Sequence, residues 1–147
     1  MKTLSQITSL FFLICMYSCT TNETNQVEEI VEEEVVDIKL KNVEIILTTT
    51  QTDFDEVVVS YYDFEINDWN YGPRQFEYDT NGNPKPIIIS LPDYGFDTIE
   101  GDAYRKNSSP SGLKVQIFID DVLVKEEESF GTDLVYAQVF FDYTIEE

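Results

Sequence analysis

The chain has 147 residues, 42% hydrophobic and 14% aromatic, which is enough for one folded domain with a short additional segment. Its 29 acidic and 9 basic residues give a formal net charge of −20, and this charge opposes binding to nucleic acid. Histidine is absent from the sequence, which excludes Ser-His-Asp catalysis and histidine metal ligands. Both cysteines lie within the first 20 residues, so the remainder has neither a disulfide framework nor a cysteine metal site.

The first 18 residues have the layout of a secretory signal peptide. A short, weakly positive start precedes an apolar run over residues 10–17, far shorter than the roughly 20 residues of a membrane-spanning helix. The run ends in MYSC, residues 16–19, which resembles the lipobox of bacterial lipoproteins. The resemblance implies cleavage before Cys19, acylation of this cysteine and a lipid anchor in the outer membrane. An ordinary signal peptide and a retained membrane anchor are the alternatives.

Residues 19–37 are predicted to form a flexible acidic linker after the lipidated cysteine. Six carboxylates lie between positions 28 and 37 without any basic residue, and like charges extend a chain. Acidic residues after such a cysteine resemble the signal that sends lipoproteins of Bacteroidota to the cell surface. A periplasmic-facing location and a cell-surface location both stay open.

From residue 38 onward, apolar and polar residues alternate with a period of two, which is typical of β-strands. Strands are predicted over residues 43–48, 57–62, 87–91, 113–119, 122–128 and 134–145. Glycine, proline and Asn-Gly punctuate the segments between them. About seven short strands over residues 38–147 predict an all-β domain, an antiparallel immunoglobulin-like β-sandwich.

Two segments near the C-terminus carry a family resemblance. GLKVQIFIDDVLV (residues 112–124) and GTDLVYAQV (residues 131–139) are similar to the end of a family of small secreted bacterial β-sandwiches. This family includes the soluble domain of the mycobacterial membrane protein small family and many Bacteroidota lipoproteins. The resemblance covers residues 89–140, implies the sandwich fold and transfers no catalytic residue. In the hairpin turn, Asp121 stands where the family has glycine, and aspartate tolerates positive φ.

Seven aromatic residues fall within residues 60–78, the densest aromatic segment of the chain. Tyr61 and Phe76 are predicted to face the core. Trp69 and Tyr71 lie among Asn, Asp, Gly and Pro residues, which predicts a loop. These two side chains either cap the end of the sandwich or form a binding surface for a glycan or protein ligand.

Three further features are candidate sites. Arg74, close to the aromatic pair, is a candidate ligand-binding residue that could pair with Asp63 or Asp68. Asp53, Asp55 and Glu56 form a carboxylate cluster in a predicted turn, a weak candidate for calcium binding. The tripeptide at residues 97–99 resembles the Asp-Thr-aliphatic O-glycosylation site of Bacteroidota.

The expected function is therefore a lipid-anchored, non-enzymatic binding module of the cell envelope without a cofactor. Its partners would be the membrane, through Cys19, and a glycan or protein ligand. The alternative is a periplasmic inhibitor or immunity-type protein whose acidic surface neutralises a basic enzyme or toxin.

Overall fold

A computed structural model describes residues 39–146. The predicted signal peptide of residues 1–18, the lipidation site Cys19 and the linker of residues 19–37 lie outside the described residues. Within residues 39–146 the chain forms ten β-strands and no helix, so no helix in this range could span a membrane. The strands are β1 (Lys41–Thr49), β2 (Glu56–Asp63), β3 (Asp68–Gln75), β4 (Ile87–Tyr94), β5 (Thr98–Ile99), β6 (Gly101–Arg105), β7 (Gly112–Ile119), β8 (Val122–Phe130), β9 (Gln138–Phe140) and β10 (Tyr143–Thr144).

Eight of these strands form two four-stranded sheets, and all pairings are antiparallel. The first sheet has the order β4-β1-β7-β8, and the second has the order β3-β2-β6-β9. Strands β5 and β10 pair as a separate ribbon. The prediction of an all-β antiparallel sandwich is confirmed, with eight strands in the two main sheets where about seven were expected.

The inner faces of both sheets share one hydrophobic core. Val43, Ile45 and Leu47 of β1 are buried, while the residues between them are only partly buried, as the period of two predicts. Tyr61 and Phe76 are also buried, which confirms their predicted core positions. The predicted strand at residues 87–91 is present, but β4 is an edge strand and only Ile89 of its three isoleucines is buried.

The prediction of one long strand over residues 134–145 is wrong. The Thr132 hydroxyl accepts hydrogen bonds from the backbone N–H groups of Leu134 and Val135, and the Thr132 N–H donates to the Val135 carbonyl at 2.8 Å. This local turn uses the backbone groups that a strand would offer to its neighbour. Regular pairing therefore begins only at Gln138, and Leu134 stays 91% exposed.

Two predicted turns are confirmed. Asp120 and Asp121 link β7 to β8 with φ values of 49° and 65°, the left-handed pair of a two-residue hairpin turn. At Asn81-Gly82, Gly82 has a φ of 81° and its N–H donates to the Asp79 carbonyl at 3.1 Å. The Asp79 carboxylate also accepts two backbone N–H groups of this turn, and its hydrogen bonds lower its pKa.

A buried polar network closes the end of the sandwich where β1 ends and β2 begins. Arg105 and Asp55 are fully buried, and the Arg105 Nε lies 2.7 Å from the Asp55 Oδ2. The Thr49 hydroxyl donates to the same carboxylate oxygen at 2.8 Å. The remaining guanidinium nitrogens donate to the Ser109 hydroxyl and to the carbonyls of Ser109 and Ser111. Arg105 therefore joins the β1–β2 loop to the β6–β7 loop.

The two seams between the sheets differ. Along one seam, β8 side chains bond to the backbone of β9: Glu127 accepts the Phe140 N–H at 3.0 Å, and Ser129 accepts the Gln138 N–H at 3.4 Å. The opposite seam lies between the edge strands β3 and β4, and the segment that connects them places Phe76 in the core.

Candidate functional site

The predicted binding residues Trp69 and Tyr71 lie on a strand, so the loop prediction for this segment is wrong. They belong to β3, which pairs along its full length with β2. An edge strand needs a hydrogen-bonding partner on one side only, and it can therefore accommodate Gly72 and Pro73. Trp69 is 50% exposed and Tyr71 is 66% exposed, and both occupy the outer face of the second sheet.

Arg74 does not join this pair. It is paired in register with Val57, whose side chain is buried in the core, so Arg74 belongs to the opposite face of β3 from Tyr71. The predicted ion pair with Asp63 or Asp68 is also wrong, because these two acids face each other at the far end of the β2–β3 hairpin. Arg74 forms no ion pair within residues 39–146.

The sheet register adds three aromatic residues to the same outer face. Tyr62 pairs with Trp69, Ser60 lies between Tyr71 and Asp102, and Asp102 in turn pairs with Phe140. Tyr104 follows Asp102 by two positions and therefore shares its face. The aromatic face defined in this way consists of Tyr62, Trp69, Tyr71, Tyr104 and Phe140.

Ring–ring and hydroxyl–hydroxyl contacts join members of the aromatic face. The ring centroids of Tyr62 and Trp69 lie 5.5 Å apart in an edge-to-face arrangement. The hydroxyl oxygens of Tyr71 and Tyr104 lie 3.4 Å apart, and this hydrogen bond raises the pKa of Tyr104. Phe140 is 50% exposed on the last strand of the sheet. The rings therefore cover a surface that extends across all four strands.

Polar groups lie between these rings. Ser60 and Asp102 are neighbours in the row that also contains Tyr71 and Phe140, and the Gln138 amide donates to the Asp102 carboxylate at 3.0 Å. The face thus combines apolar ring surface with hydroxyl, amide and carboxylate groups. Such a surface can stack against a ligand ring and can exchange hydrogen bonds with its hydroxyl groups.

The carboxylates proposed for calcium do not converge. Asp55 is buried against Arg105, and Glu56 forms an ion pair with Lys106, so only Asp53 of the predicted cluster lacks a basic partner. No group of three or more acidic side chains within residues 39–146 has the arrangement of a metal site. The buried state of Asp55 was missed because its partner lies 50 residues further along the chain.

A second feature is the acidic end of the sandwich, where β2 and β4 end and β3 and β6 begin. Its carboxylates include Asp63, Glu65, Asp68, Asp93, Asp97 and Glu100. None of these takes part in the four ion pairs within residues 39–146, which are Glu77–Lys85, Asp55–Arg105, Glu56–Lys106 and Lys114–Glu126. Within the described residues, none of these carboxylates has a basic group at ion-pair distance, and Lys41 lies opposite Tyr94 at the same end.

Comparison of the chain with protein-family models, with curated proteins and with solved structures finds no match.

Proposed function

We propose that this protein is a non-enzymatic binding module that recognises a glycan through the aromatic face. The observation that carries the proposal is the row of exposed rings across the outer surface of the second sheet, with Trp69 and Tyr71 half or more exposed. A contiguous patch of exposed apolar side chains marks an interaction surface, whereas single exposed apolar side chains are common on any protein surface. Rings alternating with hydroxyl and carboxylate groups suit a sugar, which presents both C–H surfaces and hydroxyl groups.

The proposal includes the location of the module. A signal peptide over residues 1–18 would be removed, Cys19 would carry the lipid, and residues 19–37 would separate the sandwich from the outer membrane. The lipobox-like residues before Cys19 support this anchor. The module would face the periplasm or the cell surface.

Trp69 provides the test of glycan binding because it is the only tryptophan of the chain. Its fluorescence should change when a bound glycan covers the aromatic face. We expect Tyr71→Ala and Tyr104→Ala each to weaken binding about fivefold to tenfold, since stacking and hydrogen bonding contribute about 1 kcal/mol each. Phe54→Ala is the matched control, because Phe54 is 62% exposed but lies in the β1–β2 loop.

Binding of glycans from a broad panel by the wild type, and its loss in both tyrosine variants, would support the proposal. A panel without any ligand would contradict it. So would equal weakening in Phe54→Ala, because that result would place the ligand elsewhere.

The anchor is tested separately by metabolic labelling with palmitate. The wild-type chain should be labelled and Cys19→Ala should not. Label retained in Cys19→Ala would show that the acylation site has been assigned to the wrong residue.

The second candidate function is an inhibitor or immunity-type protein that neutralises a basic enzyme or toxin. The acidic end favours it, because six carboxylates that form no ion pair within residues 39–146 would attract a basic surface and steer its approach. Association with such a partner should weaken steeply as salt is raised from about 50 mM to about 500 mM, whereas stacking on the aromatic face should persist. The salt dependence of binding therefore separates the two candidates.

A further inference from the structure

A cleft of about 270 Å³ lies at the acidic end, on the seam between the two sheets. One wall comes from the end of β2 and the turn after it, and the other comes from β4 of the first sheet. The lining residues are Tyr61, Tyr62, Asp63, Glu65, Ser90, Leu91, Pro92 and Tyr94. The opposite seam is closed by the hydrogen bonds from β8 to β9, so the two seams are not equivalent.

Two of the three tyrosines that line the cleft use their hydroxyl groups elsewhere. The Tyr62 hydroxyl donates to the Asn67 side-chain oxygen at 2.9 Å, and the Tyr94 hydroxyl donates to the Thr98 carbonyl at 2.5 Å. Neither residue has a free donor proton to offer, and the partly exposed Tyr62 supplies more ring surface to the cleft than the buried Tyr94. Their rings belong to a larger aromatic cluster, in which Tyr62 and Tyr94 both contact Phe64 edge to face.

The cleft also contains negative charge without a cation. Asp63 and Glu65 line it, and neither forms an ion pair within the described part of the chain. Among the described residues, the Asp63 carboxylate accepts a hydrogen bond only from the Glu65 backbone N–H, at 3.1 Å. Burial, followed by the charges of Glu100 and Asp63, raises the pKa of Tyr94 to about 12. The negative charge of these carboxylates therefore acts on groups inside the cleft between the two sheets.

We infer that this cleft binds an alkylammonium group, either on a small cation or on a lysine side chain of a protein partner. An ammonium group is attracted both to aromatic ring faces and to carboxylates, and the cleft presents these two kinds of group together. An anion would be repelled by Asp63 and Glu65. A purely apolar ligand would remove two charges from water without compensation.

The inference goes beyond the proposed glycan site, because the cleft lies on the seam and the aromatic face lies on the outer surface of one sheet. Tyr62 is the only residue that belongs to both. Loss of glycan binding in Tyr71→Ala and Tyr104→Ala would leave the ammonium site intact. The two proposals can therefore fail independently.

The test uses the full-length protein in a non-ionic detergent and isothermal titration with tetramethylammonium, spermidine and a lysine-containing peptide. The same peptide with acetylated lysine is the neutral comparison. We expect binding of the ammonium probes to weaken at least about tenfold in a variant with Asp63→Asn and Glu65→Gln. Binding to the small cations but not to the peptide would assign the site to a small ligand. Binding to the peptide, lost on acetylation, would assign it to a protein partner.

A matched control separates site binding from general charge attraction. Glu128→Gln with Asp133→Asn removes the same charge from two exposed residues outside the cleft, and it should leave the affinity within about twofold. Tyr62→Leu removes a ring and keeps both carboxylates, and it should weaken tetramethylammonium about fivefold. Absence of binding by every probe would overturn the inference. So would equal weakening in both charge variants, or unchanged binding in Tyr62→Leu.

Discussion

At the scale of single residues, the two arginines of the chain have opposite environments. Arg105 is fully buried and its nitrogens bond to a carboxylate, a hydroxyl and two carbonyls. Arg74 is partly exposed and has no ion pair within residues 39–146. The sequence draws attention to Arg74 because aromatic residues surround it. It gives no sign that Arg105 meets Asp55, because only the folded chain brings these residues together.

The Arg105–Asp55 pair gives the first prediction. Arg105→Met should lower the free energy of unfolding by about 3–5 kcal/mol, because it leaves the Asp55 carboxylate buried without its counter-charge. Urea denaturation, followed by the fluorescence of Trp69, measures this change. Arg74→Met is the matched control and should stay within about 0.5 kcal/mol of the wild type.

A double variant separates charge from packing at the same site. Asp55→Leu combined with Arg105→Met should be more stable than Arg105→Met alone, because neither substitution then leaves an unpaired buried charge. A double variant that is less stable than either single variant would contradict this explanation.

Tyr94 gives a prediction about alkaline pH. Burial raises its pKa to about 12, above the value of about 10 for free tyrosine, so the folded state holds the phenolic proton more tightly. The resulting stability is fully present below about pH 10 and is lost as pH rises towards 12. Tyr94→Phe has no proton to release, so its urea midpoint should fall less than that of the wild type between about pH 9 and 11. An equal fall in both proteins would contradict the assignment to Tyr94.

At the scale of elements, a strand can be predicted from the sequence more or less closely according to where it lies in its sheet. The sequence predicts three strands closely: β1 and β7, which alternate in burial, and β2, in which three consecutive valines are buried. Strand β3 was missed, because its Asn, Gly and Pro residues are compatible with an edge strand as well as with a loop. The last segment was predicted as one strand, because its apolar residues gave no sign that Thr132 would form a local turn.

The same limit applies to the aromatic face. Trp69 and Tyr71 were identified because they are close in sequence and lie among polar residues. Tyr104 and Phe140 come from other strands, and their places beside this pair depend on the register of β6 and β9. A single sequence does not specify which strands are neighbours in a sheet, so this half of the face could not be predicted.

The β7–β8 hairpin allows a prediction at this scale. Asp121 has a φ of 65° without being glycine, which costs part of the turn's stability even though aspartate tolerates this region. Asp121→Gly should therefore stabilise the domain by about 0.5 kcal/mol, net of the greater freedom of glycine in the unfolded chain. Thermal denaturation of this variant and of Asp121→Ala provides the check. We expect the alanine variant to be the less stable, and the reverse order would contradict the argument.

At the scale of the whole molecule, charge is distributed unevenly between the two ends of the sandwich. The buried Arg105–Asp55 pair lies at one end, and six carboxylates outside any described ion pair lie at the other. The formal charge of −20 belongs to the full chain, and self-repulsion on this scale destabilises a compact state. The composition of the sequence predicts an acidic surface. The difference in charge between the two ends of the sandwich follows only from the fold.

This difference in charge predicts that salt stabilises the domain. Raising sodium chloride from about 10 mM to about 500 mM shortens the Debye length from about 30 Å to about 4 Å and screens repulsion between the carboxylates. The melting temperature should rise by about 5 °C. The rise should be smaller in the Asp63→Asn, Glu65→Gln variant than in the Glu128→Gln, Asp133→Asn variant. A melting temperature that falls with salt would contradict the prediction.

The Arg105 network also affects where the native domain opens locally. A guanidinium that joins two loops must lose several hydrogen bonds at once before its end of the sandwich can open. Among the described residues, the acidic end has no buried side chain with as many hydrogen bonds between loops. Amide hydrogen exchange should therefore be slowest for the backbone around Arg105 and faster for the backbone around Tyr94. Local opening would start at the end that contains the cleft. A ligand bound there should therefore slow exchange of the nearby amides, and it should raise the global free energy of unfolding by the same amount.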